Sequence, residues 1–281
     1  MKRFANKNVL VTGASRGIGA ALATRLAAEG ANVAIVARTL TKHDHLAGSL
    51  EETAARIRGF GGQVVVITAD LTDETSRASV VPAAVDGFGG PIDILVNNAA
   101  AAMYAPTSEF ALKRRRIIFE ANVHAPIDLA QAVLPAMIER GEGWIVNLSS
   151  ASTRHAQGPP FPKSAVGSTI GVYGASKAAL NRMTNALAHE LHGAGVRVNT
   201  IEPRAAVMSE GATALVGGSV TPDLIESMEA MVEATIALCD CGPELTGRCV
   251  VSLDLLDEMQ LTIRNLDGTD RNPATSEEPP Q

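Results

Sequence analysis

Tyr173 and Lys177 are four residues apart in the run Val172-Tyr173-Gly174-Ala175-Ser176-Lys177. If the run is helical, that spacing is one turn, and the phenol and the ammonium share a face. A cation beside a tyrosine hydroxyl favours the phenolate and lowers its pKa. A phenol tuned in this way can exchange a proton with an alcohol near neutral pH, which an ordinary phenol at about 10 does poorly. Tyr-x-x-x-Lys alone is a weak signal, because the same pair on a solvated helix face does nothing. It gains weight here because the chain opens with a glycine-rich turn.

Thr12-Gly13-Ala14-Ser15-Arg16-Gly17-Ile18-Gly19 follows a short apolar run and leads into a helical pattern. Gly13, Gly17 and Gly19 would let backbone approach a pyrophosphate, and the helix N-terminus would offer it free N–H groups. The same loop contains Gly13-x-Ser15-x-Gly17, the pattern of a hydrolase nucleophile elbow. An elbow needs a histidine at a later strand end, and His189 and His192 fall inside a helical pattern. At the end of the second apolar run stands Arg38, where an NAD-binding chain would carry an acid. Arg38 with Arg16 would suit a 2′-phosphate, so the residues favour NADP(H) as cofactor, with NAD(H) possible.

These residues need a scaffold that brings strand ends together. Seven apolar runs alternate with helical patterns: 8–12, 31–37, 63–68, 92–97, 144–148, 196–201 and 249–253. Between them helices are expected at 18–29, 50–57, 73–88, 108–137, 173–192 and 222–238. Continuous apolar strands joined by helices predict an α/β fold, a doubly wound seven-stranded parallel sheet with helices on both faces. Residues 1–269 read as one catalytic domain, and the polar stretch 270–281 as a flexible tail.

Composition narrows the function class. The chain has 281 residues and is 46% hydrophobic, enough for a sizeable core. Its net charge of −6 argues against nucleic acid as a partner. No apolar run reaches the ~18 residues of a membrane span. The start lacks the apolar centre of a signal peptide, which predicts a cytoplasmic protein. Cys239, Cys241 and Cys249 lack metal-ligand spacing and read as reduced thiols, with no metal site expected.

With these motifs in order, the sequence resembles the short-chain dehydrogenase/reductase family over residues 6 to about 255. The likeness rests on the glycine turn, Asp70-Leu71, Asn97-Asn98-Ala99-Ala100, Asn122, Asn147-x-Ser149-Ser150 and Tyr173-x-x-x-Lys177. It implies Tyr173 as general acid/base and Lys177 as the ribose ligand that also lowers the phenol's pKa. It implies Ser150 as the donor to the substrate oxygen, with Ser149 its rival, and Asn122 as holder of a proton-relay water. Asp70, Leu71, Asn98 and Ala99 would contact the adenosine. Ser15, Ile18, Pro203 and Val207 would complete the cofactor contacts. The bland alternative for Asp70 is a helix cap, a role open also to Thr72 and Asp73. Asn122 could instead support a local kink.

Three departures stand out. Ser150 and Tyr173 are 23 positions apart, a longer interval than the family's usual dozen or so. Pro203-Arg204 replaces the usual Pro-Gly. An extra stretch, Thr39 to Ser49, carries His43 and His45 and reads as a solvated loop near the adenosine end. Together these departures resemble the hydroxysteroid-dehydrogenase-like branch. Phe161, Met208, Leu215 and Val216 would form an apolar pocket for a lipophilic alcohol or ketone. The expected activity is alcohol/carbonyl interconversion with NADP(H). A non-catalytic dinucleotide sensor and the serine hydrolase are the alternatives. The resemblance implies a homodimer or homotetramer through helices 108–137 and 173–192, with helix 222–238 and the last strand as a second contact.

Overall fold

The computed structural model describes residues 2–161, 167–217 and 220–271. In chain order the main elements are β1 (Asn8–Thr12), α1 (Gly17–Ala28), β2 (Asn32–Ala37), α2 (Leu50–Arg58), β3 (Val64–Thr68), α3 (Glu74–Ala78), α4 (Val80–Phe88) and β4 (Ile94–Asn97). There follow α5 (Leu112–Phe119), α6 (Ala125–Arg140), β5 (Gly143–Leu148), α7 (Gly171–Glu190), β6 (Val196–Glu202), β7 (Ala206–Val207) and α8 (Glu210–Val216). The last are β8 (Ile225–Glu226), α9 (Met228–Leu238), β9 (Cys249–Val251) and α10 (Ser252–Glu258). Seven strands form one parallel sheet in the order β3-β2-β1-β4-β5-β6-β9, as the alternating pattern predicts.

Successive residues of a strand point to opposite faces, so each face of the sheet needs its own helices. Val9 and Val11 pack with Leu22 and Leu26 of α1 and Val232 and Ile236 of α9. Leu10, between them in sequence, packs on the other face with Val80 of α4 and Leu129 and Val133 of α6. The result is a single Rossmann-type domain of helix, sheet and helix layers.

Three predicted helices are divided. The segment 73–88 breaks at Ser79, whose hydroxyl donates to the Ser76 carbonyl. The segment 108–137 contains a 3-10 turn, α5, a π turn at Glu120–His124 and then α6. Pro126 follows the π turn and has no N–H to give the Asn122 carbonyl, so the regular bond ladder is interrupted there. The segment 222–238 becomes a 3-10 turn, β8 and α9. Glu226 leaves the helix because its carboxylate accepts from Ser252 Oγ and the Arg204 N–H. The last strand ends at Val251 rather than 253, where Ser252 starts α10.

Arg25 is fully buried and ties three parts of the chain together. It donates to Glu29 on its own helix, to Glu233 on α9 and to the Asn265 carbonyl. Asp270, expected to begin a loose tail, pairs with Arg264 in an isolated bridge. Residues 272–281 of that expected tail lie outside the described residues. No described helix is long and apolar enough to cross a membrane.

Candidate active site

The sheet order reverses between β1 and β4, and a cleft of about 1220 Å³ opens at the carboxyl ends of the strands. Its first wall is the turn after β1. Gly13 has φ +67°, and a Cβ there would stand 2.7 Å from Asn98 Nδ2 and 2.8 Å from Ala99 Cα. Only glycine permits so close an approach in the left-handed region. Thr12 Oγ1 accepts from the N–H groups of both Asn98 and Ala99, each at 3.0 Å. Asn98 Nδ2 returns a bond to the Thr12 carbonyl at 2.8 Å. The motifs after β1 and β4 thereby hold one another. Gly19, expected to touch the cofactor, does not line the cleft; a side chain there would strike Asn98 and the Gly13 carbonyl. Its role is that packing. Helix α1 begins at Arg16 with no side-chain cap, so its first N–H groups face the cleft without a competing acceptor. The tight glycine turn and the uncapped helix fit a dinucleotide's pyrophosphate.

At the adenosine end, Asp73 caps α3 by accepting from Ser76 N, which leaves Asp70 free to line the cleft with Leu71. Burial pushes the Asp70 carboxyl up. Two bonds from Thr72 and the nearby Arg38 charge outweigh that and hold it below the usual carboxylate range. Arg38 is exposed at the cleft's edge. Arg16 lines the cleft but does not stand free as a clamp. Its Nε donates to the Ala47 carbonyl at 2.8 Å and its terminal nitrogen to the Gly48 carbonyl at 2.9 Å. The 39–49 stretch is therefore not simply a solvated loop: Arg16 draws it back, and Thr39, His43 and Leu46 form part of the wall.

At the other end Tyr173 and Lys177 lie on α7 and both line the cleft. Ser150 lines the same cleft, and its hydroxyl acts to lower the pKa of the Tyr173 phenol. Ser150 caps a 3-10 turn, accepting from Ser152 N at 3.2 Å. Ser149 Oγ, the rival, is buried and has no partner. Lys177 Nζ donates to the Leu148 carbonyl at 2.7 Å and sits 6.0 Å from the Tyr173 ring centre. The expected lowering of the tyrosine's pKa by this ammonium is not found. Burial, and then the neighbouring Tyr104, push Tyr173 up to about 12, with Ser150 acting in the opposite direction. Burial likewise pushes Lys177 down to about 8. Desolvation is the largest cause for both groups.

Asn122 does not line the cleft. It sits in the π turn, fully buried, where Oδ1 accepts from Ala101 N at 2.8 Å and Nδ2 donates to the Ala101 carbonyl and Ser176 Oγ, each at 3.0 Å. Ser176 Oγ in turn donates to the Tyr173 carbonyl at 2.6 Å. Asn122 thus joins the β4 loop to the helix that bears Tyr173 and Lys177.

The short chain dehydrogenase family model matches residues 7–214. The chain belongs to this family. It is 32% identical over 254 residues to hydroxysteroid dehydrogenase-like protein 2 from Danio rerio, an alignment that covers 90% of this chain and 59% of the relative. The chain thus spans well under two thirds of that relative's length. A short chain dehydrogenase from Mycobacterium thermoresistibile is similar in structure, with a TM-score of 0.78, 31% identity and coverage of 92% of this chain and 89% of that one. A 3-oxoacyl (acyl-carrier-protein) reductase from Agrobacterium tumefaciens, solved with NADP bound, has a TM-score of 0.73, 27% identity and coverage of 88% and 93%.

The sequence showed the opposite wall of the cleft less completely. Pro203 and Val207 line the cleft, and β7, which contains Val207, pairs with β8. Met208, Leu215 and Val216 supply the apolar wall. Phe161 does not: it is 65% exposed and absent from the lining. Residues 162–166 of that insertion lie outside the described residues. Two contributors were not foreseen. Tyr104 packs its ring 5.9 Å from that of Tyr173. Arg154 donates to Glu202 and to the carbonyls of Pro203 and Arg204, joining the Ser150 turn to the loop after β6. Tyr104 is one of only two tyrosines in the chain, and that scarcity is the one signal that marks it. Arg154 carries no motif. No hydrogen bond joins Ser15 to a histidine among the described residues, so the elbow lacks its base.

Proposed function

We propose that the protein is an NADP(H)-dependent oxidoreductase that interconverts a secondary or lipophilic alcohol and its carbonyl, with Tyr173 as acid/base. The observation that carries this reading is that Tyr173, Lys177 and Ser150 line one cleft together with the glycine turn that suits a pyrophosphate. Bound NADP(H) would supply or accept the hydride. The chain's residues handle orientation and the proton.

Burial keeps the Tyr173 phenol protonated at neutral pH. That is the form a general acid needs when a carbonyl is reduced, because the growing alkoxide is far more basic than a phenolate. Ser150 donates to the same oxygen and stabilises its charge. Lys177, held by the Leu148 carbonyl, binds ribose hydroxyls, and Asn122 fixes the helix turn from which Lys177 projects. Gly13, Gly17, Ser15 and Ile18 cradle the phosphates, and Arg38 supports NADP(H) over NAD(H). Asp70, Leu71, Asn98 and Ala99 hold the adenosine side, and Pro203 and Val207 the nicotinamide side. The apolar wall of Met208, Leu215 and Val216 suits a lipophilic substrate.

Exposed Leu112, Ile138 and Met183 on α5, α6 and α7 support assembly into a homodimer or homotetramer. Three free cysteines, two of them buried, suit a reducing cytoplasmic setting. The test is direct binding of NADPH against NADH, then a panel of alcohols and ketones followed by nicotinamide absorbance. Turnover that Tyr173→Phe abolishes is the expected result. Tight NADPH binding with no turnover on the whole panel would leave a dinucleotide sensor instead.

A further inference from the structure

His43 is turned inward in an otherwise exposed stretch. Lys42, Asp44 and His45 are exposed, whereas His43 is half-buried and lines the same cleft as Arg38 and Asp70. Its Nδ1 accepts two backbone bonds, from His45 N at 3.1 Å and Leu46 N at 3.2 Å. An imidazole nitrogen that accepts N–H bonds carries no proton, so the ring's proton is on Nε2. His43 therefore keeps one free donor, and no side chain among the described residues takes it.

The loop is held in place to present that donor. Thr39 and Leu40 carbonyls accept from Leu50 N and Glu51 N, closing the far end on α2. Arg16 grips the near end through Ala47 and Gly48. At Gly48, φ is +92° and a Cβ would meet the Ser15 carbonyl oxygen at 2.6 Å, so the loop lies directly on the glycine turn. Arg16 uses two of its five N–H donors on this grip, which fixes where its guanidinium stands. Of the two arginines expected to read a 2′-phosphate, Arg38 makes no hydrogen bond to another described residue.

We infer that His43 Nε2–H is a second donor to the cofactor's adenosine 2′-phosphate, beside Arg38, and that Arg16 acts mainly as the anchor of the loop that carries it. This rests on the NADP(H) reading above. The 39–49 insertion is then a specificity element for the dinucleotide: its histidine contacts a group that NADPH has and NADH lacks.

The decisive variant is His43→Asn. The Asn Oδ1 can take the place of Nδ1 as acceptor for the loop's N–H groups, but the side chain does not reach far enough to replace Nε2–H. His43→Gln extends an amide N–H towards that position. Dissociation constants for NADPH and NADH are read from nicotinamide fluorescence, and the 2′-phosphate of bound NADP+ is followed by phosphorus NMR. A hydrogen bond to a charged group of this kind is worth about 10-fold in affinity. The expected result is that H43N weakens NADPH by about that factor, leaves NADH within about 2-fold, and moves the 2′-phosphate resonance, while H43Q recovers part of the loss. Equal loss for both dinucleotides would make His43 a loop scaffold and overturn the inference, as would no loss for either. Failure of the cofactor reading appears separately, as wild-type protein that binds NADH as tightly as NADPH. The ratio of H43N to wild-type NADPH affinity still decides the role of His43.

Discussion

At the nucleotide end of the cleft the contacts are mostly backbone. Each bond there has a main-chain partner: Thr12 Oγ1 accepts from the Asn98 and Ala99 N–H groups, Asn98 Nδ2 donates to the Thr12 and Gly13 carbonyls, and the helix behind them offers further N–H groups. At the proton end they are mostly side chains from distant segments: Tyr173 and Lys177 from α7, Ser150 from the turn after β5, Tyr104 from the loop after β4. Backbone donors do not titrate, whatever surrounds them. Side-chain groups change acidity with burial, and here burial moves Tyr173 and Lys177 in opposite directions. The first region is built to hold a group of fixed charge, and the second to be tuned by whatever enters beside it.

The sharpest way to separate the two ends is Tyr173→Phe, which should lower turnover by about 10³-fold and leave dinucleotide affinity unchanged. Steady-state rates beside a binding titration check it; a similar loss in both would mean the ends are not separable. Next in size is the charge at Lys177. Its pKa is about 8 in the folded chain against the ordinary 10.5, so between those limits the unfolded chain holds the proton and the folded one does not. Stability then rises with pH across this window, by about 3 kcal/mol. Tyr173, raised from 10 to about 12, works the other way only above pH 10. Denaturation midpoints at pH 8 and pH 10 should differ in the wild type and level out in Lys177→Met.

Gly13→Ala probes the backbone end. A side chain at φ +67° in contact with Ala99 should cost about 1–3 kcal/mol and weaken NADPH binding, with no change in the titration of Tyr173. Thermal melts and a binding titration measure it. The smallest effect belongs to Tyr104→Phe. It leaves Tyr173 as the only tyrosine, so the ultraviolet tyrosinate signal reports that phenol alone. Titration should remain near 12, set by burial. A midpoint near the ordinary value of 10 would show that Tyr104, and not burial, dominates.

Much of the frame was legible from periodicity. Short apolar runs such as 92–97 and 144–148, set between helical patterns, read as strands buried on both faces, and the seven strands of the sheet are all parallel. The divided helices were less legible. The break at Ser79 comes from a local side-chain bond, and the π turn at Asn122 from a proline two residues beyond it whose effect depends on Ala101 and Ser176 lying near. β8 was read as helix because Glu226 suits one locally; only its bonds to Arg204 and Ser252 draw it out.

By itself the sequence determined which chemistry was on offer: a phenol and an ammonium one turn apart, glycines where backbone must come close, and an arginine in place of an acid after the second strand. These follow from residue type and spacing along a single element. Tertiary structure alone decided that Lys177 answers to the Leu148 carbonyl, that Arg16 grips the 39–49 loop, and that Tyr104 stands against Tyr173. Each of these depends on which segments the folded sheet brings side by side, and on how much water is left between them.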